Sequence, residues 1–177
     1  MDIETEVDQL LTLEQLFESL NDFEEEEEVD SVRMYSAANH IVVRRGSSAV
    51  IVKLLNAQGQ QHEADEIVEQ GTLVELWSMV ATELKNLTQE NRIELYEYIG
   101  SRVFRTGAPS IDSEGTLTLE STLPAQDLSV RYCARYIAEF VSFVDRIDTQ
   151  IAQRWNGLTW LDEGPDRDQG SANHASY

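Results

Sequence analysis

The sequence predicts an α+β chain in the order helix, two or three strands, helix, two strands, long helix. Three observations carry that prediction. The stretch 31–55 is rich in β-branched residues that alternate with polar neighbours, the signature of antiparallel strands. A second alternating stretch, 110–120, folds about an acidic-glycine turn. Finally, Val130, Cys133, Ile137, Phe140, Val144, Ile147 and Ile151 recur in steps of 3 and 4, a seam that only a helix places on one face. With 177 residues, 41% of them hydrophobic, the chain suits a single domain. Its expected bounds are 12–155, preceded by an acidic extension at 1–11 and followed by a flexible tail at 156–177, where Gly157, Gly164, Pro165 and Gly170 sit among polar residues.

The first element follows from Thr12-Leu13-Glu14-Gln15, the spacing of a capping box, after which Leu13, Leu16, Phe17 and Leu20 keep helical period. Five consecutive glutamates, Glu24 to Glu28, repel one another and present no apolar face, so they read as a solvated linker or tip. Turn signals at Ala38-Asn39 and at Arg45-Gly46-Ser47-Ser48 divide 31–55 into two or three strands. The polar stretch 56–70 reads as a loop or as one further edge strand around Ile67-Val68. Thr72-Leu73-Val74-Glu75 again has capping-box spacing, and Leu73, Leu76, Trp77, Val80 and Leu84 predict a helix. Thr88 offers a renewed cap, and Ile93, Tyr96, Ile99 and Val103 continue the period to about Phe104, giving two consecutive helices or one kinked helix. Gly107 and Pro109 stop it. In the hairpin that follows, Leu117, Leu119 and Ser121 share one face while Thr116, Thr118 and Glu120 share the other. Pro124 ends the strand, and Asp127 or Ser129 caps the closing helix, whose wet side carries Arg131, Arg135, Arg146 and Arg154.

Charge sets the partner class. The net charge is −20, of which −13 falls within residues 1–30, where there is no Lys or Arg. A nucleic-acid footprint needs a basic stripe, and none is present, so nucleic acid is excluded as a partner. No apolar run reaches the length needed to span a bilayer, and Met1-Asp2-Ile3-Glu4 is acidic where a signal peptide is basic, so the expectation is a cytoplasmic protein without membrane insertion. The single Cys133 cannot form an internal disulfide, which fits a reducing compartment.

Chemistry is sparse. There is no glycine-rich phosphate loop, no Cys-x-x-Cys and no His-Glu-x-x-His, and His40, His62 and His174 lack metal-ligand spacing. Asp166 to Gly170 distantly resembles a calcium loop but lacks the distal glutamate. Cys133 sits on the apolar seam, where a thiol is an inert small hydrophobe. No enzyme activity and no cofactor are expected.

The element order and the run 104–124, FRTGAPSIDSEGTLTLESTLP, resemble the YbjN family and the related class I type III secretion chaperones. The resemblance spans roughly Leu13 to Trp155 and is clearest from Leu84 to Ile151. Gly100-Ser101 departs from it, since relatives often carry asparagine there, and so does the long stretch 56–71. It implies an α+β domain with helices packed on a twisted antiparallel sheet, a homodimer, and a noncatalytic role in holding a segment of a client protein. It supplies no catalytic residue. The residues expected to meet the client are Leu16, Phe17 and Leu20 on the first helix and Met34, Val43 and Ile51 in the early strands. The alternative function is a small regulatory or scaffold subunit acting through Glu24 to Glu28 or through the tail that holds Trp160 and Leu161.

Overall fold

The computed structural model describes residues 11–56, 61, 73–85, 87–100, 108–125 and 128–159. Its elements are α1 (Leu13–Glu25), β1 (Ser31–Tyr35), β2 (His40–Arg45), β3 (Ser48–Leu55), β4 (Leu73–Ala81), α2 (Gln89–Gly100), β5 (Ala108–Ile111), β6 (Leu117–Pro124) and α3 (Val130–Arg154). The strands form one six-stranded sheet in the order β1-β2-β3-β4-β6-β5, every neighbouring pair antiparallel. This is the α+β architecture expected, with helices against a single antiparallel sheet.

Helix α1 starts on the capping box read from the sequence: Gln15 N–H donates to Thr12 Oγ1 and Thr12 N–H to Gln15 Oε1, both at 3.1 Å. Such a cap stabilises a helix by about 1 kcal/mol. The helix ends inside the glutamate run. Glu28 N–H bonds to Phe23 O and Glu27 N–H to Glu24 O, with Glu27 at φ +59°, which is the hydrogen-bond pattern of a left-handed C-terminal cap. Glu24 to Glu27 are solvent-exposed, as a tip should be, but the run is also the terminus of α1.

The turns fall where predicted. Gly46 and Ser47 join β2 to β3 with Arg45 opposite Ser48, and Gly46 takes φ +53°. Asp112 Oδ1 accepts from Glu114 N–H and Thr116 N–H, both at 2.9 Å, closing the β5–β6 hairpin. Ser129 caps α3, its hydroxyl accepting from Tyr132 N–H at 3.2 Å. Thr88 accepts from Asn91 N–H at 3.2 Å just ahead of α2.

One element differs from expectation. Residues 73–81, predicted as a helix from Leu73, Leu76, Trp77 and Val80, form strand β4. Their side chains alternate instead: Val74, Leu76, Ser78 and Val80 are buried on the face toward the helices, and Leu73, Glu75, Trp77 and Met79 are half-buried on the other. Both faces carry apolar residues, so the same letters satisfy a period of 3.6 and a period of 2. Pairing on both sides, with β3 and β6, decides the matter through hydrogen bonds that a local pattern cannot anticipate. The predicted cap Thr72, the further edge strand at Ile67-Val68 and the end of the predicted middle helix beyond Gly100 lie outside the described residues.

The core lies on one side of the sheet. Leu13, Leu16, Leu20 and Phe23 of α1 and Cys133, Ile137, Phe140, Val144, Ile147 and Ile151 of α3 meet Ile41, Val43, Val50, Val52, Leu54, Leu76, Leu117 and Leu119. Each such side chain contributes about 1.5–3 kcal/mol on burial. The regular α3 seam is therefore consumed by the monomer's own core. Cys133 is enclosed in it, and burial pushes its thiol up to about 11, which keeps it protonated and unreactive. Polar groups on this side are satisfied: Ser78 donates to Ala49 O at 2.7 Å, Ser121 pairs with Tyr136 at 2.8 Å, and the buried Asp148 accepts from Ser47 and Ser48 at 2.7 Å each. After α3, Asn156 turns the chain at φ +54° and Leu158 exchanges two 2.9 Å backbone hydrogen bonds with Thr82.

Candidate protein-binding surfaces

Two regions outside the core combine apolar side chains with a geometry that can receive a protein. The first is the edge where α1 packs on β1. Strand β1 is outermost in the sheet, so one side of its backbone faces outward. Phe17 of α1 and Met34 of β1 are half-buried there, each resting on the core without being enclosed by it. The Glu24 carboxylate accepts from Val32 N–H of this edge strand at 2.9 Å. Beside it, Arg131 and Arg135 of α3 approach Phe23 with their guanidinium carbons 5.4 and 5.0 Å from the ring centroid and pair with Asp22, Glu26 and Glu28 at 3.5–3.6 Å. These ion pairs are about half exposed, so each adds little to stability, about 0–1 kcal/mol. Their consequence is local: they offset part of the acidic run at the end of α1.

The second region is the sheet face turned away from α1 and α3. Register aligns Arg33, Val42, Ile51, Trp77, Glu120 and Ala108 in one row across β1, β2, β3, β4, β6 and β5. Val42, Ile51 and Trp77 in this row, and Met79 beside it, are half-buried and take no part in the core cluster. An adjoining row places Tyr35 opposite His40 and Lys53 opposite Glu75. Tyr35 and His40 stack with centroids 5.2 Å apart, and His40 Nδ1 is buried without a hydrogen-bond partner among the described residues.

The six residues expected to meet a client separate into three groups. Leu16, Leu20 and Val43 are fully enclosed in the core. Phe17 and Met34 are half-buried on α1 and β1, two elements that pack on each other. Ile51 stands on the opposite sheet face. Amphipathic period marks which residues must be covered but not by what, which is why core and contact residues shared one pattern. Val42, Trp77 and Met79 were not among the expected contacts. Their alternation with Val43, Leu76 and Val80 was the available signal.

The buried His40 makes stability depend on pH. Desolvation holds its pKa below the ordinary 6.5, the polar Ala38 backbone opposes this, and the charge of Lys53 acts in the same direction as desolvation. The unfolded chain therefore takes up a proton first as pH falls, so this group's contribution is intact above pH 6.5 and declines below it. We expect the unfolding free energy to fall as the pH drops below 6.5, and to fall less in His40→Gln, when both are followed by urea denaturation. Equal slopes would remove His40 as the cause.

Among the described residues, no group of three or more His, Cys, Asp or Glu side chains is arranged to hold a metal, and no helix is long and apolar enough to cross a membrane. No protein-family model matches the sequence, and no curated protein matches it. Among solved structures, the chain is similar to one from the HopA1-SchA chaperone-effector complex, at 15% identity and a TM-score of 0.42, over 77% of this chain and 98% of that one.

Proposed function

We propose that this protein is a noncatalytic, chaperone-like binding module that pairs with itself and holds an extended segment of a client protein at its α1–β1 edge. One observation carries the reading: the outermost strand, β1, carries the incompletely buried Met34, and the helix packed on it carries the incompletely buried Phe17. An extended client adds its backbone to β1 and sets alternate apolar side chains against Phe17 and Met34, so main-chain bonds supply affinity and the two side chains supply selectivity. An incoming carbonyl replaces Glu24 at Val32 N–H. The exposed carboxylates of Glu24 to Glu27 favour a segment flanked by basic residues. The function is cytoplasmic and needs no cofactor.

The test begins with the full chain recovered from its native cells at two salt concentrations and identification of the stoichiometric partner. That partner is then titrated against wild type, Phe17→Ser and a chain shortened after Thr159, which keeps the Thr82–Leu158 pairing. Phe17→Ser should bind about tenfold more weakly, a loss of about 1.4 kcal/mol, and the shortened chain should bind normally. The reverse pattern overturns the reading in favour of an adaptor that works through its tail.

A further inference from the structure

The outer sheet face has a charge pattern that its surroundings do not predict. Its outward positions on β1, β2 and β3 include Arg33, Arg44 and Lys53 and no acid. Those on β4 and β6 include Glu75 and Glu120 and no base. The face thus carries a formal +1 in a chain of −20 that has only 13 Lys and Arg. Of that charge, −13 falls within residues 1–30, ahead of β1, so the acidic excess lies largely apart from this face and its own pattern is set by these five residues. Between the two charged flanks run Val42, Ile51 and Trp77, with Met79 alongside, all half-buried and outside the core.

We propose that two copies of this chain pair through this face. The partner is specified by charge complementarity: a surface that is basic on one side, apolar in the middle and acidic on the other is complementary to itself when turned about an axis in its own plane. If that axis runs parallel to β3, β1 of one copy lies over β6 of the other. Arg33 then faces Glu120, Val42 faces Trp77, and Ile51 meets its own counterpart. An axis perpendicular to the strands would instead set Arg33 on Arg33 and Glu120 on Glu120, which repulsion disfavours. Adjacent strands are about 4.8 Å apart, so Arg33 and Glu120 lie about 19 Å apart along the row, with the apolar centre between them. Face-to-face sheets pack about 10 Å apart, a separation that these side chains fill by interdigitating. The same axis sets Lys53 of one copy against Lys53 of the other, and Glu75, opposite Lys53 within each copy, keeps that row neutral overall. The contact is isologous, so each charge pair occurs twice and any reversal is felt twice.

This interface rests on the self-pairing part of the proposed function and not on the client site. Its test uses purified protein without client, so either reading can fail alone. Sedimentation equilibrium of the full chain should give a dimer of twice 20.1 kDa that dissociates on dilution. Arg33→Glu alone and Glu120→Arg alone should each weaken the dimer by about tenfold or more, because each places two like-charged pairs in the contact. The double variant should restore it. An equimolar mixture of the two single variants should form a heterodimer tighter than either homodimer. In that heterodimer the introduced acid of one chain faces the introduced base of the other, and the native Arg33 and Glu120 that remain face each other. Circular dichroism of each variant excludes unfolding as the cause of a loss. A monomer at every concentration, single reversals that leave the dimer unchanged, or a double variant no better than the singles would each overturn the proposal.

Discussion

Phe140→Ala should lower the unfolding free energy by about 3–5 kcal/mol, because it empties the centre of the long closing helix. Phe140 is fully buried midway along α3, flanked on the seam by Ile137 and Val144, where the helix lies across β2, β3 and β4. Truncation removes the ring's transfer free energy and leaves a cavity that two rigid layers cannot collapse around. For a domain whose whole stability is about 5–15 kcal/mol, that is a large share. The corresponding drop in melting temperature is about 6–20 °C for a chain of this size. Tyr132→Ala is the matched control: it lies on the same helix, 51% exposed, and should stay within about 0.5 kcal/mol of wild type. Thermal and urea unfolding of both variants check the pair. Similar losses for both would mean that the α3 seam is not the core.

The physics of each element explains how much of it the sequence disclosed. Helix α3 was legible because its apolar residues fall on one face only, so no strand period competes with the 3-and-4 spacing. The β5–β6 hairpin was legible because Asp112 and Gly115 create a turn that few other residues permit, and because Thr118 and Glu120 alternate cleanly with Leu117 and Leu119. Strand β4 was not, since the feature that makes the outer face apolar, Trp77 and Met79 opposite Leu76 and Val80, also erases the polar side by which a strand is recognised. The binding surfaces depend on that strand. The row from Arg33 to Glu120 exists only once β4 pairs with both β3 and β6, and β6 reaches β4 across the whole of α2. No local window holds both ends of such a pattern. The contact set met a different limit: Leu16 and Phe17 are neighbours with the same chemistry, and only packing decides that the first is enclosed while the second is half-buried.

Substituting alanine at two glycines should shift stability in opposite directions. Gly115 adopts φ +84°, a conformation that costs an L-residue about 1–2 kcal/mol. It is also buried, and a Cβ there would stand 2.5 Å from Leu84 O and 3.1 Å from Leu84 N. Both are backbone atoms, and neither can swing aside. Leu84 N–H donates to Gly115 O at 3.1 Å, so relieving the overlap breaks the bond that fastens the hairpin to the chain leaving β4. Leu84 cannot retreat freely either, because Gly157 already lies close against it. Strain, overlap and the lost hydrogen bond together should cost Gly115→Ala about 3 kcal/mol or more. Gly100, the last residue of α2, has nothing within 4 Å of a built Cβ and no left-handed φ, so alanine there only restricts the unfolded chain. Gly100→Ala should raise stability by up to about 1 kcal/mol. Urea titrations of the two variants measure both signs, and a Gly115→Ala loss under about 1 kcal/mol would show that the hairpin is not held against Leu84 in solution.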